Sequence, residues 1–200
     1  EHYPPEIRSS DIFIASYPRS GNTWTRFLLS NALFENTITN FDSVHMKIPY
    51  IGTSHKIQEN LPFRLFKTHE LYNYRFNKVI YIVRNPKSVS ISYYNYQRWK
   101  NILPPNMKFK EFYPIFLNGF PKNNPNWYNH VGSWINTEES KDKFLLVKYE
   151  DLLENPLIQL KKMLNFIGIN KSNDKLQLAI EASSFKNMSK IENNQALDKM

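Results

Sequence analysis

The sequence predicts an α/β fold of three layers, with a central parallel sheet flanked by helices. Three observations point there. Short apolar runs rich in β-branched residues recur along the chain, and segments of helical spacing separate them. Two of the strand-to-helix junctions carry helix-start chemistry, a small-residue loop before Asn22 and a proline at Pro86. Repeated strand–helix order of this kind favours parallel pairing.

Taken in order, Asp11–Ser16 (DIFIAS) is a short apolar run ending in a turn signal, the pattern of a buried strand. From Asn22 to Phe34 the residues Trp24, Phe27, Leu28 and Ala32 fall at helical spacing. Arg64–Thr68 predicts a second strand and Lys78–Arg84 (KVIYIVR) the clearest one. Pro86 then opens a helix to about Trp99. Phe144–Tyr149 is another strand. A helix from Pro156 carries Leu157, Leu160, Leu164 and Ile167 on one face, with Gly168 as its stop. Residues 100–128 break the pattern. With Pro104, Pro105, Pro114, Pro121 and Pro125 they read either as an irregular lid or binding loop or as an insertion with short helices and no role.

Two hundred residues suit one domain with a full core. No apolar run reaches the roughly 20 residues of a membrane span, and residues 1–20 lack the layout of a secretory signal. The absence of cysteine removes disulfides, thiolate catalysis and Cys-ligated metals, and leans towards a reducing, cytoplasmic setting. The net charge of +8 fits either a basic, soluble surface or an anionic partner. Lysines such as Lys108, Lys110, Lys122, Lys141 and Lys143 are scattered rather than massed among aromatics, so a small polyanion is expected and nucleic acid is not.

The loop Ser16-Tyr17-Pro18-Arg19-Ser20-Gly21-Asn22-Thr23-Trp24 between the first strand and the first helix is a ready anion site. The first helical amides lack chain partners, and the helix dipole is positive there. Gly21 permits close approach of a phosphate, Ser20 and Thr23 offer hydroxyls, and Arg19 offers a guanidinium fork. The spacing superposes on a Walker A loop, which makes the fold P-loop-like. Asn22, however, stands where the Walker lysine belongs, and no carboxylate follows KVIYIVR to hold a metal. A metal-dependent NTPase is therefore disfavoured, and no metal site is expected.

Three further pieces follow. Arg84 ends a strand and Ser92 lies two turns into the next helix, so both can face one phosphate at the carboxyl edge of the sheet. Phe66-Lys67-Thr68-His69 places a histidine, a candidate general base, beside a lysine that can steady negative charge. His2, His45, His55 and His130 compete for that role. Lys148-Tyr149-Glu150-Asp151-Leu152, then Asn155-Pro156, ends a strand and enters a helix.

In order and in spacing these four pieces resemble the sulfotransferases that use 3′-phosphoadenosine-5′-phosphosulfate (PAPS). Weaker echoes lie at Trp127–Trp134 and Ser183–Met188, so the likeness runs from about Asp11 to Met188. The resemblance implies that Arg19, Ser20, Gly21, Asn22 and Thr23 grip the 5′-phosphosulfate and that Trp24 stacks on adenine. It implies Arg84 and Ser92 for the 3′-phosphate, and Tyr149, Ser184, Phe185 and Met188 for the adenine pocket. His69 is then the catalytic base, with Lys67 and Arg19 aimed at the leaving oxygen, and 3′,5′-adenosine bisphosphate (PAP) is the product. By position, the acceptor wall draws on His45–Ile51, with Pro49 and Tyr50, on Phe109–Phe120, and on Tyr128 and His130. That make-up favours a small phenol, alcohol or lipid-like acceptor. A glycan stays open, because Asn170-Lys171-Ser172 and Asn187-Met188-Ser189 have the form of glycosylation sequons.

Two departures stand out. Cytosolic members of the family usually carry lysine where this chain has Arg19, and arginine acts by field and hydrogen bonds alone. The basic loop Arg-Lys-Gly-x-x-Gly that closes over the 3′-phosphate has no counterpart before Met200. Residues 1–200 are accordingly expected to be a single sulfotransferase domain without that loop, cut from a longer chain. A non-catalytic nucleotide-binding relative and, less favoured, a P-loop small-molecule kinase are the competing readings.

Overall fold

The computed structural model describes residues 6–34, 39–53, 61–119, 125–136 and 142–197. In chain order the elements are β1 (Ile12–Ser16), α1 (Asn22–Leu33), α2 (Phe41–Lys47), β2 (Leu65–Thr68), β3 (Lys78–Val83), α3 (Pro86–Trp99), α4 (Phe109–Leu117), α5 (Trp127–Ile135), β4 (Phe144–Lys148), α6 (Tyr149–Glu154), α7 (Pro156–Phe166), α8 (Asn173–Ala182) and α9 (Phe185–Leu197). The four strands form one parallel sheet in the order β2-β1-β3-β4.

The period-two alternation of the strands divides the core into two layers. Ile12 and Ile14 of β1, Leu65 of β2, Ile80 and Ile82 of β3 and Val147 of β4 face α1, α7 and α8. The alternate residues Phe13, Ala15, Phe66, Val79 and Tyr81 face Val131 and Trp134 of α5. With helices on both faces the sheet is three-layered, as its sequence order predicts. Full burial of each large side chain contributes about 1.5–3 kcal/mol. The start of β1 is fixed by Asp11, which is fully buried and accepts from Arg64 Nε (2.7 Å), Arg64 Nη2 (2.6 Å) and the Arg8 amide (2.8 Å).

Residues 100–128 hold a short helix, α4, as the insertion reading of this stretch allowed. Phe109, Phe112 and Phe116 recur at helical spacing, and they pack on Tyr94, Val89 and Tyr93 of α3. Glu111 closes the first turn by accepting from the Lys108 amide at 2.7 Å. Pro114 sits within this short helix; the buried aromatic face outweighs one missing amide donor. Phe120, the end of the segment assigned to the acceptor wall, lies outside the described residues, as do His2 and His55. All four strands run the same way, so the carboxyl ends of β1, β2 and β3 share one edge, the edge where open α/β sheets bind ligands.

Candidate active site

β1 ends at Ser16, and the chain turns through Tyr17–Ser20 with a Ser20 amide to Tyr17 carbonyl bond of 3.2 Å. Arg19 (φ 68°) and Gly21 (φ 100°) both adopt left-handed backbone, and α1 starts at Asn22. Gly21 is the N-cap and supplies no side-chain acceptor, and the first turn holds no acidic residue. The open amides therefore point positive potential out of the sheet edge. Asn22 ties the helix start back to the strand: its Nδ2 donates to Ile14 O (3.0 Å) and Ser16 Oγ (3.2 Å).

This helix end opens into a cleft of about 440 Å³. Arg19, Gly21, Asn22, Thr23 and Trp24 line one side; Lys67, His69, Arg84, Ser92, Tyr149, Phe185 and Met188 line the rest, with Pro18 and Tyr96. Twelve positions singled out from sequence thus converge from eight separate elements and loops. Ser20 does not reach the wall: it is buried, and its Oγ has no partner. Ser184 accepts from the Asn187 amide at 3.3 Å and serves the first turn of α9. Tyr96 was not anticipated, although it stands four residues after Ser92, one turn along the same face of α3.

Two sets of groups divide the cleft. The cationic set is knitted around Arg19, whose Nε donates to Ser92 Oγ (3.2 Å), whose guanidinium lies 4.6 Å from the centre of the Tyr96 ring, and whose carbonyl accepts from Arg84 Nη1 (3.1 Å). Arg84 Nε is buried with no partner, a donor in want of an acceptor. The aromatic set is Trp24 between Tyr149 (5.8 Å, edge-on) and Phe185 (5.0 Å, tilted), with the indole N–H donated to Ser183 O at 3.0 Å. A guanidinium pair with an orphaned donor beside a flat aromatic slot fits a phosphorylated purine nucleotide. Among the described residues no group of three His, Asp or Glu side chains is placed to share a metal ion.

At the end of β2, His69 Nδ1 lies 2.7 Å from the Ser16 carbonyl. A carbonyl only accepts, so Nδ1 carries the proton and Nε2 is left as the basic nitrogen. Burial, with the Lys67, His130 and Arg26 charges adding, holds the ring pKa down at about 4. Lys67 is pushed down to about 8, chiefly by burial and then by Arg26. Arg26 itself was not anticipated. It is 1% exposed, donates to Ile48 O at 3.2 Å, and no carboxylate pairs with it among the described residues.

Pro49 and Tyr50, the residues expected at the acceptor, sit against β2. The Lys67 amide donates to Pro49 O (2.8 Å), the Ile51 amide to Lys67 O (3.0 Å), and the Lys67 ammonium lies 5.4 Å from the Tyr50 ring centre. Tyr128 is exposed, on the outer side of α5. His130, also expected at the acceptor wall, is held in the interior instead of lining the cleft. It is fully buried, and both of its ring nitrogens are engaged, with Tyr81 Oη and with the His69 carbonyl.

The family model described as "Sulfotransferase domain" matches residues 9–199. The chain belongs to the sulfotransferase family. Among relatives, Sulfotransferase 1B1 of Canis lupus familiaris is 32% identical over 199 residues, covering 90% of this chain and 67% of that protein. Flavonol 4'-sulfotransferase of Flaveria chlorifolia is 30% identical, covering 96% of this chain and 67% of its own length. The mouse sulfotransferase SULT7A1, solved in complex with PAP, superposes with a TM-score of 0.73 at 28% identity, over 92% of this chain and 66% of that one. Retinol dehydratase, solved with androsterone and PAP, gives 0.77 at 21% identity over 93% of this chain and 67% of that one, a likeness of fold. The chain spans about two thirds of the length of these relatives. The sulfotransferase cofactor is PAPS with PAP as product, and the cleft's paired cationic and aromatic sets fit it. No helix among the described residues is long and apolar enough to cross a membrane.

Proposed function

We propose that this domain moves the sulfuryl group of PAPS to the hydroxyl of a small phenolic, alcoholic or lipid-like acceptor, with His69 as general base. One observation carries the reading: the 2.7 Å bond from His69 Nδ1 to the Ser16 carbonyl leaves Nε2 basic, in a cleft it shares with Lys67 and the start of α1. Bound PAPS supplies an activated sulfuryl group on a phosphate leaving group. Nε2 takes the acceptor proton as the new S–O bond forms and the bond from sulfur to the phosphate oxygen breaks. Such assistance is typically worth about 10²–10⁴ in rate. A ring pKa near 4 keeps the base neutral at physiological pH, and phosphate charge in the cleft favours the protonated ring, raising its basicity where it is needed.

Lys67, the open amides of α1 and Arg19 are arranged to meet the negative charge that grows on the phosphate oxygen. Arg84 and Ser92 serve the 3′-phosphate, and Trp24, Tyr149, Phe185 and Met188 the adenine. Pro49 and Tyr50 form the near wall for the acceptor. The phenolic class draws support from the relative named for a flavonol. We place the reaction in the cytoplasm on the name of another relative, Cytosolic sulfotransferase 1 of Danio rerio, 28% identical.

The test is thermal unfolding with PAP against ATP–Mg²⁺, followed by transfer assays from PAPS to phenols, alcohols and sugars. PAP at about 100 times its dissociation constant should add roughly 2.7 kcal/mol of stability. Stabilisation by ATP–Mg²⁺ alone would overturn the reading. His69→Ala should lose transfer while retaining PAP binding.

A further inference from the structure

His69 lies one residue beyond β2, where the sheet ladder has ended, and residues 70–77 form no strand. The backbone there finds its partners in three side chains of α5. His130 Nε2 lies 3.0 Å from the His69 carbonyl, Trp134 Nε1 donates to the Glu70 carbonyl at 3.0 Å, and Ser133 Oγ accepts from the Tyr72 amide at 3.1 Å. Positions 130, 133 and 134 share one face of a helix. We propose that α5 is the platform that orients His69, with His130 as its central positioning residue. The proposal rests on the reading of His69 as the base.

The hydrogen-bond chemistry of His130 admits one arrangement. The His69 carbonyl can only accept, so His130 Nε2 carries the proton. Its Nδ1 then accepts from the Tyr81 hydroxyl, 3.0 Å away on β3. Both partners are fully buried, and burial holds the imidazole neutral and the phenol protonated. The ring also stacks on Tyr81 (6.0 Å between centroids, 23°) and meets Tyr17 of the phosphate loop edge-on (5.5 Å, 81°). Ser133 donates its own proton to the His130 carbonyl at 2.8 Å, so its oxygen is turned to receive the Tyr72 amide.

His69 is therefore held from two sides. Ser16 of β1 fixes which ring nitrogen is basic, and the Tyr81–His130 pair fixes the backbone from which the ring projects. The two constraints come from different elements, so removing one should leave the fold and the nucleotide cleft standing while the base loses its aim. Small displacements of a reacting group are costly in rate.

The test has two readouts. In the ¹⁵N-histidine-labelled chain, nuclear magnetic resonance should show His69 as the Nδ1–H tautomer and His130 as the Nε2–H tautomer. His130→Leu should abolish the single-tautomer signature of His69. In transfer assays of the full-length protein it should lower kcat about tenfold or more with PAP affinity unchanged, the pattern of a lost transition-state alignment. His130→Gln, whose amide can donate to His69 O and accept from Tyr81, should recover most of both signals. Where His130→Leu does not fold, Tyr81→Phe and Ser133→Ala decide in its place by the same two readouts. A folded variant that keeps the His69 tautomer and full kcat overturns the platform. If His69→Ala itself turns over at the wild-type rate, the base reading fails instead; a slow His69→Ala with a fully active His130→Leu refutes the platform alone.

Discussion

Gly21→Ala tests how closely the phosphate loop is fitted to the nucleotide slot. Gly21 has φ 100° and ψ 10°, a conformation that costs an L-residue about 1–2 kcal/mol. Space adds to the strain. An added Cβ would overlap Tyr149 Cδ2 and stand 2.7 Å from Cε2. The Tyr149 ring cannot simply swing clear, because the Arg84 guanidinium lies 4.3 Å from its centre and Trp24 meets it edge-on at 5.8 Å. Forcing the ring off its rotamer costs about 0.5–1.5 kcal/mol, and the cation–π contact is worth about 0.5–1 kcal/mol. The sum is roughly 2–4 kcal/mol of stability, a fall in Tm of about 5–10 °C for a chain of this size. Because Tyr149 and Arg84 move together, PAP affinity should fall about tenfold or more, equivalent to about 1.4 kcal/mol. Titration calorimetry and thermal unfolding measure the two effects. Pairing the change with Tyr149→Ala should recover the steric part and leave the backbone part, a coupling of about 1 kcal/mol or more. An alanine variant with unchanged Tm and unchanged PAP affinity would refute this account of the loop.

Two further outcomes follow from buried polar groups. His69 and His130 are both held at about 4 against an ordinary value of 6.5, so between those values the unfolded chain binds protons that the native chain refuses. Stability is then full above about pH 6.5 and is lost as the pH falls towards 4, with a slope approaching two protons, roughly 2.7 kcal/mol per pH unit. Urea unfolding across that window measures the slope, and stability that stays level on acidification contradicts it. At the far end of β1, Asp11→Ala removes a fully buried carboxylate from Arg64 and from the Arg8 amide. It should destabilise by about 3–5 kcal/mol. The site lies at the opposite end of the strand from the cleft, so PAP affinity of the folded fraction, measured by calorimetry, should be unchanged.

The residues proposed for the nucleotide could be brought together from the sequence because their chemistry is local. Arg19 to Trp24 form a strand end, a turn and a helix start in one continuous stretch, and Arg84 to Ser92 repeat that arrangement; strand register then brings the two together. The acceptor half depends on how helices dock, which spacing does not reveal. His130 reads from sequence as one histidine in an aromatic segment, and its partners Tyr81 and His69 are 49 and 61 residues away in the chain. α4 forms among prolines because the buried face of Phe109, Phe112 and Phe116 counts for more than the prolines do. Arg26 was missed for a related reason. α1 is buried on almost every side, with Asn22, Thr25, Arg26 and Ser30 all inside, so its polar residues face protein rather than water. The consequence is chemical as well as structural. A guanidinium kept inside without a carboxylate among the described residues, bonded to the Ile48 carbonyl, works against the protonation of both Lys67 and His69. Burial does most to hold both groups neutral, and the Arg26 charge adds to it from a helix whose sequence reads as ordinary core.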